Sequence, residues 1–376
     1  MMRVADRAVA RNYLKYLHKS QAKYSETNKR LASGNRFTKL SDDVSAGSRV
    51  LRSRMDRYKA EKQLDNTKEA ADELTIAEDA LTSINTLIMY IHEQKVVKAL
   101  NDPTSEEGRK ILAQEIQAMM DEIVQHANAK YGNKYSFGGT NSYTAPFTIG
   151  ANGKMLYNGI PMDEIREELD DAGHKTGRYV YYTGGFEMEA DGVTPKLDAD
   201  GNPIPAEAVV PLDKEIYFDT ALGVKINIQE KTPGVPFPEF LSGTAFKISY
   251  SGPEVFGFGV DEKGLSNNIY NVLAEVKKYV EDFDRPSLEK WHTKLGSLLS
   301  SFRSRLTDIG VKTNFLNDNV KRLEDVIDNH TAKIYDLMGV DDAEEATNQM
   351  MNDYVLKAIL QLGSRVLPLS LMDFIR

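Results

Sequence analysis

The chain has no cysteine at all, which excludes disulfides, thiolate metal sites and cysteine nucleophiles together. A cytosolic protein and an exported one that travels unfolded both fit that absence. No run of about eighteen apolar residues occurs either, so no segment is expected to cross or insert in a bilayer as a helix. The first residues, Met1 to Leu31, are short of an apolar core as well. Arg3, Arg7, Arg11, Lys15 and Lys19 interrupt them and no small-residue cleavage site follows, so secretion by a cleavable signal peptide is not expected.

The residues of catalysis and metal binding are present but not in productive arrangements. The six histidines, His18, His92, His126, His174, His292 and His330, show no spacing that would put two on one metal. Asp198, Asp200 and Asn202 alternate as in a calcium loop, but Pro203 stands where that loop needs glycine and Val209 where it needs the bidentate glutamate. Gly138-Gly139-Thr140 and Gly184-Gly185 lack a following Lys-Ser/Thr, so neither reads as a phosphate cradle. The acid pairs Asp42-Asp43 and Asp341-Asp342 lie at helix starts, where capping explains them. No cofactor, metal or catalytic centre is expected, and the chain does not read as an enzyme.

Charge is unevenly distributed. Residues 1–62 hold 16 Lys and Arg against 6 Asp and Glu, whereas residues 311–353 hold 4 against 10, so the two ends attract. The basic stretch is not read as a nucleic-acid footprint, because its cations are spaced along a helix with acidic neighbours and no recognition motif accompanies them.

What the chain does have is long amphipathic helix at both ends. A first helix is predicted from about Asp6 to Ala32, with Leu17, Tyr24 and Leu31 recurring every seven residues and Ser33-Gly34-Asn35 stopping it. Ser41-Asp42-Asp43 supplies capping oxygens for a second. Its stripe, Thr67, Ala70, Leu74, Ala77, Leu81, Ile84, Ile88 and Ile91, alternates spacings of three and four, and a helix from Ala46 to Leu100 would be roughly 75 Å long. Pro103 breaks it, and Thr104 or Ser105 can cap a third helix that folds back antiparallel. Helix returns at Ser266–Phe283 and from Ser287 to about Leu337. A last helix from Ala343 carries Met351, Val355, Ala358, Leu362 and Val366, with an apolar tail that includes Leu371 and Phe374.

Between Tyr143 and Asp261 the texture is Gly, Pro, Tyr and alternating apolar residues, as at Tyr179–Tyr182, Glu215–Phe218, Val224–Ile228 and Phe246–Tyr250. These predict short strands joined by turns such as Asn152-Gly153, Asn158-Gly159 and Asp200-Gly201. The expected fold class is α+β: a long discontinuous coiled-coil bundle built from both chain ends around an inserted β-rich domain. The expected divisions are 1–45 with 335–376, 46–142 with 262–334, and 143–261.

Several stretches carry a family resemblance. Leu31-Ala32-Ser33-Gly34-Asn35-Arg36-Phe37 followed by Ser41-Asp42-Asp43 resembles the N-terminal signature of bacterial flagellins and of the hook-associated protein 3 family, the hook-filament junction proteins. Tyr135-Ser136-Phe137-Gly138-Gly139-Thr140 with Ala145-Pro146-Phe147, and the helix start Asn267-Asn268-Ile269-Tyr270-Asn271, resemble the junction family more than flagellin. So do Gly310 and Asn314 in Asp308–Leu316, and the ending Leu369–Ile375. The chain departs from the family at Val44, where proline is common.

The resemblance implies a structural flagellar subunit, exported through the type III apparatus, that assembles as a ring-like homo-oligomer between hook-associated protein 1 and flagellin. Leu17, Tyr24, Leu31, Met351, Val355, Ala358, Leu362, Leu371 and Phe374 are the residues expected to pack on assembly. The Ala343–Val366 helix is the natural segment for an export chaperone to hold. A filament-forming flagellin is the alternative reading.

Overall fold

The computed structural model describes residues 2–101, 105–139, 143–169, 175–187, 196, 203, 205–209, 215–228 and 245–366. The architecture is α+β, with long helices from both chain ends and small antiparallel sheets between them. The chain divides into two compact units, one of residues 1–61 with 323–376 and one of residues 62–322.

In the first unit, α1 (Met2–Ser33) ends where Gly34 takes a φ of +64°, and α2 (Val44–Tyr90) begins with the Asp43 carboxylate accepting the Ala46 amide at 2.9 Å. At the other end of the chain, Asp341 caps the last helix by accepting the amides of Ala343 and Glu344. Phe37, Ala46, Val50 and Met338 bury a small core there, with Ile334 and Leu337 packed against it. The segment after α1 and the segment after the long penultimate helix are tied together: Arg36 N donates to Met338 O at 2.7 Å, and Val340 N to Gly34 O at 3.1 Å. Asn35 of the motif forms an isolated antiparallel bridge with Gly339 at this tie.

The second unit holds the main core. The remainder of α2 passes through a π-helical turn (Ile91–Val96) into α3 (Val97–Asn101). The predicted stripe is buried throughout, from Thr67 to Ile91. Continuing at a spacing of four would bring Lys95 inward. The π-turn inserts one extra residue instead, so that Val96 and Ala99 enter the core while Lys95 reaches out to Glu115 at 2.6 Å. This is why the expected continuous helix is interrupted.

Ser105 caps α4 (Glu106–Ala127) by accepting the Gly108 amide at 3.2 Å. Four small sheets follow. The strands β1 (Lys130–Tyr131) and β2 (Lys134–Tyr135) form a hairpin, and β3 (Phe147–Ile149), β4 (Met155–Tyr157) and β5 (Ile160–Pro161) a meander. Asn158 and Gly159, with φ of +50° and +84°, close β4 on β5 with Tyr157 opposite Ile160. A third sheet has β7 (Lys175–Phe186) between β6 (Arg166–Leu169) and β8 (Pro205–Val209). The fourth has β9 (Glu215–Asp219) between β10 (Val224–Ile228) and β11 (Ala245–Lys247). The Asp200-Gly201 turn lies outside the described residues.

Short α5 (Gly252–Phe256), α6 (Ile269–Asp282) and α7 (Arg285–Met338) complete the order before α8 (Asp342–Val366). Within the second unit, α2, α4, α6 and the first part of α7 share one core with the β residues Phe147, Met155, Tyr157 and Phe218. Full burial of each large apolar side chain contributes about 1.5–3 kcal/mol. The turn at Ala221–Gly223 docks on α2 through Gln63 and Asn66, and Lys225 pairs with Glu69 and Glu73 at 3.1 and 2.9 Å.

Candidate assembly interface

In the first unit α1 runs along α8, and the seam between them mixes polar and apolar side chains. Ser20 and Thr27 of α1 and Glu345 of α8 are buried in it. Asn352 Nδ2 donates to Thr27 Oγ1 at 2.8 Å and Gln349 Nε2 to Asn28 Oδ1 at 2.7 Å. Arg30 and Glu345 form the ion pair that bridges the two helices among the described residues, at 4.0 Å. Gly363 permits close approach, since a Cβ there would collide with the Tyr13 ring.

Apolar side chains are left on the outside. On α8, Met350, Met351, Tyr354, Val355, Leu360 and Leu362 are exposed, Tyr354 to 76%. On α1, Val9, Leu14 and Tyr16 are exposed, and on α2 so are Val44, Leu51, Met55 and Tyr58. An amphipathic helix pair normally turns its apolar faces toward its own core. Here only part of the apolar surface is turned inward, with Leu17, Tyr24 and Leu31 of α1 and Leu356 and Ile359 of α8 half-buried, and the rest stays outside.

Of the residues expected to pack on assembly, Leu17, Tyr24 and Leu31 are half-buried on the α1 side of the seam and Ala358 is half-buried on α8. Met351, Val355 and Leu362 face outward, because the side of α8 that meets α1, including Gln349, Asn352 and Gly363, is one residue round the helix from them. Leu371 and Phe374 lie outside the described residues. Apolar periodicity alone does not tell the stripe through Met351 and Val355 from the half-buried one through Leu356 and Ile359.

The other motif residues stitch the second unit. Asn268 is fully buried. Its side chain accepts the Asn271 amide at 3.0 Å, capping α6, and donates to the carbonyls of Gly257 at 3.1 Å and Phe256 at 3.4 Å. Asn271 then accepts the Met155 amide at 2.8 Å and donates to Asp163 at 2.8 Å. Asp163 also accepts from Ser266 at 2.5 Å and pairs with Lys154 at 2.9 Å, which holds the Lys154 pKa above its ordinary value. Asn267 accepts from Lys294 at 2.7 Å. Phe137 and Phe147 are buried beside this network, and the Tyr157 hydroxyl donates to the Phe137 carbonyl at 3.0 Å. Gly138 is buried and Gly139 has a φ of +58°. Gly310 sits against Glu78, and Asn314 is exposed on α7.

Ser41 and Asp42 lie with Asp43 in the turn before α2, where Asp42 accepts the Lys39 amide at 3.1 Å. Asp163 and Lys154 were not singled out in the sequence, since no local spacing links them to α6. Among the described residues no cluster of metal-ligating side chains occurs, and no helix is long and apolar enough to cross a membrane.

Residues 4–142 match the family described as bacterial flagellin N-terminal helical region. Two curated relatives cover more of the chain's character: flagellar hook-associated protein 3 of Salmonella typhimurium, 28% identical over 51% of this chain, and its Escherichia coli counterpart, 29% identical over 39%. The chain is similar to flagellar hook-associated protein 3. The matches span 61% and 46% of those two proteins, less than two thirds of either. Among solved structures, the flagellar junction protein FlgL of Legionella pneumophila aligns over 77% of this chain and all of its own, with 17% identity and a TM-score of 0.43.

The π-turn creates one proton-sensitive feature. His92 within it stacks on His292 of α7, ring centroids 4.1 Å apart. Burial, then the neighbouring His292, lowers the His92 pKa below its ordinary 6.5; Glu93 opposes this and Arg303 adds to it. The folded chain therefore resists a proton that the unfolded chain accepts, and the second unit is expected to lose stability as pH falls through about 6.5. Comparing urea midpoints at pH 7.5 and 5.5 checks this: His92→Gln should lose less between the two than the parent chain, and an equal loss would count against the pair.

Proposed function

We propose that the chain is a structural subunit of the bacterial flagellum that joins the hook, through hook-associated protein 1, to the flagellin filament. The observation that carries this reading is the set of large apolar side chains left exposed on the helices of the chain ends. Exposed apolar faces on α1, α2 and α8 call for a cover, and similarity to flagellar hook-associated protein 3 supports finding it in neighbouring subunits. Charge supports the same arrangement: the basic 1–62 and acidic 311–353 stretches are joined among the described residues by the Arg30–Glu345 pair and are complementary between copies.

On this reading residues 1–45 and 335–376 form the innermost packed region, 46–142 and 262–334 the rod around it, and 143–261 the part facing outward. The subunits form a ring-like homo-oligomer on the extracellular flagellum, reached by type III export without a cleavable signal peptide. A chaperone would hold the outward apolar side of α8 before assembly.

Deleting the gene tests the proposal. Cells should carry hooks without filaments and release flagellin into the medium. Intact filaments would reject the junction role. A self-polymerising flagellin is the second reading, favoured by the match to the flagellin N-terminal region over residues 4–142; it requires bare hooks with no flagellin in the medium.

A further inference from the structure

A cavity of about 250 Å³ lies between α5, the Gly257–Gly259 turn, the start of α6 and the middle of α7. Three phenylalanines contribute to its walls. Phe256 and Phe302 are buried with ring centroids 6.0 Å apart, and Phe258 stands edge-on to Tyr179 at 4.9 Å. Ile269 and Leu298 add aliphatic surface.

The polar side chains of the lining are Asn267 and, one helical turn apart on α7, Ser301 and Arg305. Arg305 has unused capacity. One of its terminal nitrogens donates to the Val255 carbonyl at 2.8 Å, but a guanidinium has five N–H donors, and Arg305 makes no ion pair among the described residues. Glu254, whose charge acts on Arg305, is itself paired with Lys247 at 2.8 Å. Burial is the largest influence on Arg305 and lowers its pKa, yet arginine stays charged. A partly desolvated guanidinium with donors to spare, beside aromatic side chains, favours an anion that brings its own apolar surface.

We propose that this cavity binds a small aryl carboxylate, its carboxylate on Arg305 and Ser301 and its ring among Phe256, Phe258 and Phe302. All these residues belong to one unit, so the site stands apart from the assembly reading.

The test is a titration of phenylacetate into the full chain, followed by ligand-observed NMR and calorimetry, with phenylacetamide as the neutral isostere. Saturable single-site binding is expected, at least about tenfold weaker for the amide and for Arg305→Met, since a charge-assisted pair is lost in both. Leu298→Trp, which fills the cavity and leaves Arg305 in place, should abolish it. Circular dichroism reports whether each variant folds; if Arg305→Met does not, the acid–amide comparison and Leu298→Trp decide. Absence of saturation, equal affinity for acid and amide, or undiminished binding to Leu298→Trp would overturn the proposal.

Discussion

Replacing Asn268 by alanine is expected to cost the second unit about 3 kcal/mol. Loss of a helix cap costs about 1 kcal/mol. The carbonyls of Phe256 and Gly257 then lose their donor in a buried setting, at about 1 kcal/mol or more each. Nothing can enter to replace it easily, because Asn268 is fully buried and Gly257 lies so close to the Asn267 carbonyl that even a Cβ would collide with it. A shift of this size lowers the thermal midpoint of a domain of this class by roughly 8 °C. The neighbouring Asn267→Ala is the control: it removes a contact with Lys294 at a half-buried position and should cost less than about 1 kcal/mol. Chemical denaturation of both variants measures the difference. Equal costs would mean that Asn268 is not the stitch described above.

The second large effect is on assembly. Met351→Asp combined with Val355→Asp places two charges on the outward side of α8, at positions 60% and 42% exposed. The isolated chain should keep its helix content and its stability within about 0.5 kcal/mol, as surface substitutions normally do. Filaments should nevertheless fall to the level of the gene deletion, because an apolar interface cannot bury two unpaired carboxylates. Normal filament numbers in cells carrying the double variant would remove this face from the proposed interface.

Much of the helical frame was legible in the sequence for a simple reason. Leu74, Leu81, Ile84, Ile88 and Ile91 obey one period and one period only, so helix and buried face follow together. The caps at Asp43, Ser105 and Asp341 were legible because capping is local chemistry. The turn at Asn158-Gly159 was legible because few other residue pairs tolerate two positive φ values. The π-turn was not foreseen, although its trace is present: Ile91 to Val96 is a step of five where four would have presented Lys95 to the core. Short α5 escaped because five residues give no periodicity.

The site was less legible than the frame. Asn268 stood out by family likeness, but its carbonyl partners come from α5, and those of Asn271 come from β4 and from Asp163, more than a hundred residues earlier. No local pattern encodes such meetings. On α8, Met351, Val355 and Leu362 face away from α1, since the side that meets it runs through Gln349, Asn352, Leu356, Ile359 and Gly363. Two apolar stripes share that helix, and periodicity alone does not rank them.

The tie between Gly34–Arg36 and Met338–Val340 has a mechanical consequence. Because the segments leaving α1 and entering α8 are hydrogen-bonded to each other, and Arg36 and Arg54 both reach across to Leu337 and Met338, neither terminal helix can swing alone. A bending or twisting load on either end is divided over two strands of backbone at one clasp, and the chain's two extremities answer to torque as a single lever.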